Sequence, residues 1–151
     1  MRRIDRAIDD AEAMEILRKG EYGVLSTASK SGHPHGVPLN YWLLEGDICF
    51  HCALEGLKLE NMASCPEVSF CVVGRTQPLP DKFTTIYESV IVKGTAEELT
   101  GERKVQALTA LLHKYCSDHL DAGMKYMESA EKRLKVFRIR AQQLTGKARK
   151  K

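Results

Sequence analysis

Glu45-Gly46-Asp47 separates two strand-forming runs, "HGVPLNYWLL" before it and "ICFHCA" after it. So short a link cannot return a chain to a parallel neighbour, which takes about a dozen residues or more. The two runs must pair antiparallel, as a hairpin. One step earlier, "YGVLSTAS" is rich in small and β-branched residues and reads as a strand near 22–28. The turn residues of "KSGHP" join it to the next strand. Strands in meander replace the βαβ alternation of a dinucleotide-binding sheet, and that fold is set aside. Pro38, inside the second strand, cannot donate to a ladder, so that strand needs an edge or an irregularity there.

Further along, "EVSFCVVG" gives a fourth strand, and "RTQPLPDK", with two prolines, reads as a loop. "FTTIYESVIVKGTAEEL" is a long fifth strand alternating at Ile86, Glu88, Val90 and Val92, with Gly94 marking a bend or bulge. "LKVFRIRAQQL" is the last strand. A helix over about 10–19 opens on the N-cap residues Asp9 and Asp10, carries Ala13, Ile16 and Leu17 on one stripe, and stops at Gly20. "EGLKLENMASC" is a short helix ended before Pro66. "GERKVQALTALLHKYC" is amphipathic, with Val105, Leu108, Leu111, Leu112 and Tyr115 on one face, and "SDHLDAGMKYMESAEKR" is partly helical. The architecture is mainly β with flanking helices, its six antiparallel strands forming a small closed or split barrel. A chain of 151 residues suits one domain, here 1–151, with an N-terminal helix within 1–20 and a polar basic tail at 145–151.

No apolar run approaches the roughly 18 residues of a membrane span, and "MRRIDRAIDDAEAM" lacks the apolar segment of a secretory signal. Five cysteines, an odd number without paired CxxC motifs, fit reduced thiols and a cytoplasmic location. From Lys132 to Lys151 there are nine basic residues and no acidic one, so the remainder is net negative. Such an end binds nucleic acid, supplies phosphate ligands or is simply solvated. No aromatic residue interleaves the basic tail at 145–151, which argues against nucleic acid.

The chemistry concentrates in "CFHCALEGLKLENM", where a strand runs into a helix. His51 shares a face with Cys49 and not with Phe50 or Cys52. Three readings of it are open: a core histidine satisfied by a carbonyl, a metal ligand together with His33 and His35, or an imidazole beside a bound ring. The histidines show no zinc spacing. At Gly56-Leu57-Lys58 the first N–H groups of the helix lack intrahelical partners and, with the dipole, favour an anion. Gly56 lets a backbone come close and Lys58 adds a full charge. A solvated surface lysine explains the same three residues. Cys49, Cys52, Cys65 and Cys71 read as small buried hydrophobes rather than nucleophiles, and Trp42 as core or interface.

Four separated pieces, "GVLSTASKSGHPHGVPLNY", "ICFHCALEGLKLENM", "FTTIYESVIVKGTAEEL" and "LTGK", together resemble the flavin-binding split barrels related to pyridoxamine 5′-phosphate oxidase. Within these, the histidine ending the third strand and the closing Thr-Gly-Lys resemble the nitroimidazole-resistance (Nim) branch. The resemblance implies a six-stranded antiparallel split barrel and a homodimer holding FMN at the subunit interface. It implies that Val37, Pro38 and Leu39 line the isoalloxazine, and that His51 and Cys52 sit beside the ring and ribityl chain. Lys58, with the backbone of Gly56 and Leu57, would hold the phosphate. Ser89 would approach from the fifth strand, with Lys147 near it. True oxidases of this family carry an Arg-Lys pair at the phosphate turn; here Leu57 precedes Lys58. No counterpart of their C-terminal substrate-binding segment is present either. The implied activity is therefore reduction of a small acceptor such as a nitro compound, with His51 as catalytic proton donor, ahead of pyridoxamine 5′-phosphate oxidation. A module that stores or senses FMN without turnover is the alternative.

Overall fold

The computed structural model describes residues 3–150; Met1 and Arg2 of the expected N-terminal segment and Lys151 of the expected tail lie outside the described residues. After a 3-10 turn (Ile4–Arg6) come β1 (Ala7–Ile8), α1 (Asp10–Lys19), β2 (Tyr22–Ala28), β3 (Pro34–Asn40), β4 (Trp42–Leu44) and β5 (Asp47–Cys52). Then follow α2 (Leu57–Ser64), β6 (Glu67–Leu79), β7 (Thr84–Leu99), α3 (Gly101–Tyr115), α4 (Leu120–Ala130) and β8 (Lys135–Arg149). All strands join one antiparallel sheet in the order β3-β2-β6-β7-β8-β5-β4, with β1 added on β8. The sheet curls into a half-barrel, the split barrel expected from the strand pattern.

Several local expectations hold for the reasons that motivated them. Asp9 caps α1, its Oδ1 accepting from the Glu12 amide at 2.8 Å. The β4–β5 hairpin turns on Glu45 and Gly46, both at positive φ, the two-residue geometry that matches strand twist. Pro38 is tolerated because β3 is an edge strand, paired only with β2. The β7–β8 register shifts between Lys93 and Gly94, where a Cβ would run into the Arg140 carbonyl oxygen.

Other expectations change. The second strand is broken at Tyr41 into β3 and β4. The cause is a clamp from α3. Lys114 Nζ donates to the carbonyl oxygens of Gly20 and Tyr41 at 2.6 and 2.9 Å, and the Tyr115 hydroxyl lies 2.6 Å from the Tyr41 carbonyl oxygen. The Tyr41 hydroxyl in turn donates to the Leu17 carbonyl at 2.6 Å. Gly20 does end α1, but at φ −64; it is glycine because a Cβ would meet the Tyr41 hydroxyl and Val72. The segment expected as the loop "RTQPLPDK" continues β6 as far as Leu79, pairing with Thr84–Tyr87 beyond a bulge. The segment expected as a polar tail is the end of β8: Thr145 to Arg149 ladder with β7, and Gly146 and Lys147 also pair β1.

The barrel interior gathers Leu25, Phe50, Phe70, Val72, Val90, Val92 and Ile139 with Ala13, Ile16 and Leu17 of α1 and Met62 of α2. Each fully enclosed side chain of this size stabilises the fold by about 1.5–3 kcal/mol. A second cluster, Trp42, Cys49, Leu99, Ala107, Leu108 and Val136, lies where α3 packs on β4 and β8. The strand β5 therefore has two occupied faces: Phe50 and Cys52 belong to the barrel interior, Cys49 to the helix-covered side.

Candidate functional site

The end of β5 sends successive side chains to opposite faces. Cys52 is 8% exposed and stands directly across from Lys135 on β8. His51 stands across from Val136, is exposed, and lies beside the Trp42 ring at 6.1 Å between centroids, the rings tilted by 35°. The core-histidine reading is thereby set aside. The protein mass around the ring still pushes the His51 pKa below its ordinary value, through desolvation. Burial pushes the Cys52 thiol up, against the pull of Lys58 and then Lys135.

Beyond Cys52 the chain turns through Gly56 at φ +135, the N-cap position of α2. This backbone suits glycine, and among the described residues nothing lies within 4 Å of where its Cβ would be. The Gly56 carbonyl accepts from the amides of Leu59 and Glu60 at 2.9 and 3.3 Å. The amides of Leu57 and Lys58, at the start of α2, have no intrahelical acceptor. Leu57 is 51% exposed. Lys58 is half-buried, and its ammonium makes no hydrogen bond or ion pair among the described residues. Asn61, one turn on, ties α2 to β2 by donating to Thr27 Oγ1 at 3.0 Å.

On β3, Val37 and Leu39 face inward and pack against the barrel cluster, while Pro38 faces out. Opposite Pro38 the ladder continues outward-facing through Val24, Cys71, Ile91 and Thr145. With Tyr22 at 64% and Val73 at 61% exposure, this gives the sheet an apolar outer face. Ser89 and Lys147 are register partners on the same outer face, next to Val73 and Ala7. Lys147 is half-buried, with no hydrogen bond or ion pair among the described residues.

The structure thus brings His51, Cys52, Gly56, Leu57 and Lys58 to one strand-to-helix turn, with Val37, Pro38 and Leu39 on a strand that approaches β5. It does not bring Ser89 and Lys147 there. They lie at the other end of β8 from Lys135, at most roughly 40 Å away along the strand. Sequence reasoning missed Lys135, whose only signal was membership of a basic run; its place across from Cys52 is a long-range pairing. Among the described residues no group of three or more His, Cys, Asp and Glu side chains could hold a metal ion, and no helix is long and apolar enough to cross a membrane.

A curled antiparallel sheet with β3 at its open edge and α2 packed on β2 is a split barrel. Residues 9–148 match the pyridoxamine 5′-phosphate oxidase family, and the chain belongs to that family. Among solved structures it is similar to a candidate 5-nitroimidazole antibiotic resistance protein of Bacteroides thetaiotaomicron, at 21% identity and TM-score 0.76, covering 93% of this chain and 85% of that one. It is similar to an FAD-binding protein of Mesorhizobium loti, at 27% identity and TM-score 0.65, covering 93% of each chain. It shares its fold with the haem storage protein of Vibrio cholerae, at 13% identity and TM-score 0.66, covering 89% and 92%. No curated protein matches the chain.

Proposed function

We propose that the protein is an FMN-binding flavoprotein that reduces a small acceptor such as a nitro compound, working as a homodimer with the cofactor at the subunit interface. The observation that carries this reading is Lys58: a half-buried ammonium that no carboxylate pairs among the described residues, beside the uncapped start of α2 and the open space at Gly56. A phosphomonoester matches that charge and those free amides, and membership of the pyridoxamine 5′-phosphate oxidase family supports a flavin as its carrier. Val37 and Leu39 supply apolar surface, and the free edge of β3 supplies unpaired backbone groups for a ring's polar rim. The outward apolar row from Pro38 to Ile91, with Tyr22 and Val73, suits a second copy of the chain. That arrangement also answers why Ser89 and Lys147 stand far from Lys58: they complete the partner's site.

FMN, when bound, supplies the redox chemistry. The chain binds it, orients it and handles protons. Reducing a nitro group to nitroso consumes two electrons and two protons and releases water. His51 carries the protons in this reading, and its exposure, which lets solvent recharge it after each transfer, supports the role. Its lowered pKa keeps it neutral at pH 7, so its protonated fraction grows as the pH falls.

Binding without turnover is the second reading. It is favoured by His51 leaving β5 on the face opposite Cys52. The absorption spectrum of the purified protein decides the cofactor: flavin bands that bleach on reduction support the proposal, and a haem spectrum or a colourless protein that fails to take up FMN overturns it. Return of the flavin bands on adding an acceptor supports turnover. Survival of that return in His51→Ala removes the catalytic role of His51.

A further inference from the structure

We infer that Lys135 is the second phosphate cation of this site, taking the role that Leu57 leaves vacant; this rests on the flavin reading above. Lys135 opens β8 directly across the ladder from Cys52, and paired residues of an antiparallel ladder project to the same face. Cys52 is the last residue of β5, four positions before Gly56, so Lys135 stands at the end of the sheet from which the turn into α2 departs. Lys135 Nζ donates to Glu98 Oε2 at 2.9 Å, and its side chain is 33% exposed. An ammonium has three donors, so Glu98 fixes its position and leaves two for another acceptor. Burial raises the Cys52 pKa, and the charges of Lys58 and then Lys135 both pull it back down.

The charge arithmetic supports the assignment. A phosphomonoester carries between one and two negative charges near pH 7. Lys58 alone leaves it undercompensated, and Leu57, half-exposed, offers nothing. Lys135 restores a second cation from an element distant in sequence. The other basic residues of the first half of β8 are already engaged: Arg138 with Glu97 and Asp47, and Arg140 with Glu97. These lie on the strand's other face, so Lys135 is the basic residue of that segment on the face it shares with Cys52.

The test compares FMN with riboflavin, which lacks the phosphate. Fluorescence titration of the full chain gives both affinities for the wild type, Lys135→Met and Lys135→Arg. In Lys135→Met the preference for FMN over riboflavin is expected to fall about tenfold, while riboflavin affinity stays within about twofold. Lys135→Arg keeps the charge and is expected to retain most of the preference. An unchanged preference in Lys135→Met, or an equal fall for both ligands, overturns the assignment. Should Lys135→Met fail to fold, Lys135→Gln reads the same ratio. A wild-type protein that binds neither ligand overturns the flavin reading itself, whereas wild-type preference for FMN that survives every Lys135 variant overturns this inference alone.

Discussion

Ser89 stands directly across the β7–β8 ladder from Lys147, at the opposite end of β8 from the Lys135–Cys52 pair. One chain cannot bring both ends of a strand to one site. A two-fold dimer can, because each subunit presents both patches and each site takes one patch from each. Lys58→Ala and the double variant Ser89→Ala/Lys147→Ala are each expected to bind FMN weakly as pure dimers. Mixed dimers made by refolding the two together hold one intact site and one doubly defective site. Random pairing of equal amounts makes about half of the dimers mixed, each with one intact site, so recovery of about a quarter of the wild-type FMN capacity is the expected outcome. If mixing recovers nothing, the two patches do not share a site.

His51 gives a prediction with a definite sign. Desolvation lowers its pKa in the folded chain relative to the ordinary value near 6.5. Between the two values the unfolded chain binds more protons, so stability rises with pH across that window and is lost as pH falls through it. His51→Asn is expected to remove this part of the pH dependence and to leave stability above pH 7 nearly unchanged. Unfolding midpoints in urea at several pH values, with a direct NMR titration of the imidazole, check both parts. A midpoint at or above the ordinary histidine value contradicts the prediction.

Much of the fold was legible because local chemistry and long-range order agreed. Gly46 announced its hairpin, Pro38 its edge strand, Gly94 its bulge and Asp9 its helix. The misses share a cause. Tyr41 breaks a continuous strand pattern through contacts with Lys114 and Tyr115, far along the chain. "TGKAR" and "RTQPL" look like tail and loop, yet both become strand because β7 is long enough to pair them from either side. The candidate site divides the same way. Gly56 and Lys58 are written in one short stretch, whereas Lys135 joins them only through the β5–β8 ladder, which no local spacing encodes.

The cysteines offer a chemical check on the layers. Cys49, fully enclosed under α3, has its thiol pushed up to about 12 by burial first and by the nearby Asp47 carboxylate second. Cys52 is also raised by burial, and Lys58 and Lys135 only partly offset this. Reaction with iodoacetamide needs thiolate, so both are expected to stay unmodified in the native protein at neutral pH. Cys65 and Cys116, each half-buried, are expected to react first. Peptide mass mapping after brief labelling checks the order, and early labelling of Cys49 contradicts the packing of the α3 layer.

Asn61 links the stability of the fold to the position of α2. Its amide donates to Thr27 Oγ1 at 3.0 Å, with the two residues 3% and 4% exposed, and the Thr27 hydroxyl donates onward to the His35 carbonyl. Asn61→Ala removes the donor and leaves a small void, which costs about 1–3 kcal/mol. Asn61→Asp keeps the volume but places a carboxyl group where water does not reach. Burial disfavours its charged form, so its folded pKa is raised above the unfolded value. The folded state then holds the extra proton, and stability falls as the pH rises through that window. Asn61→Asp is therefore expected to approach wild-type stability at acid pH and to lose ground toward neutrality, while Asn61→Ala tracks the wild type at a constant deficit. Urea midpoints for the three proteins at pH 4 to 8 distinguish the curves. Parallel curves for Asp and Ala would show that the Asn61–Thr27 contact is open to water.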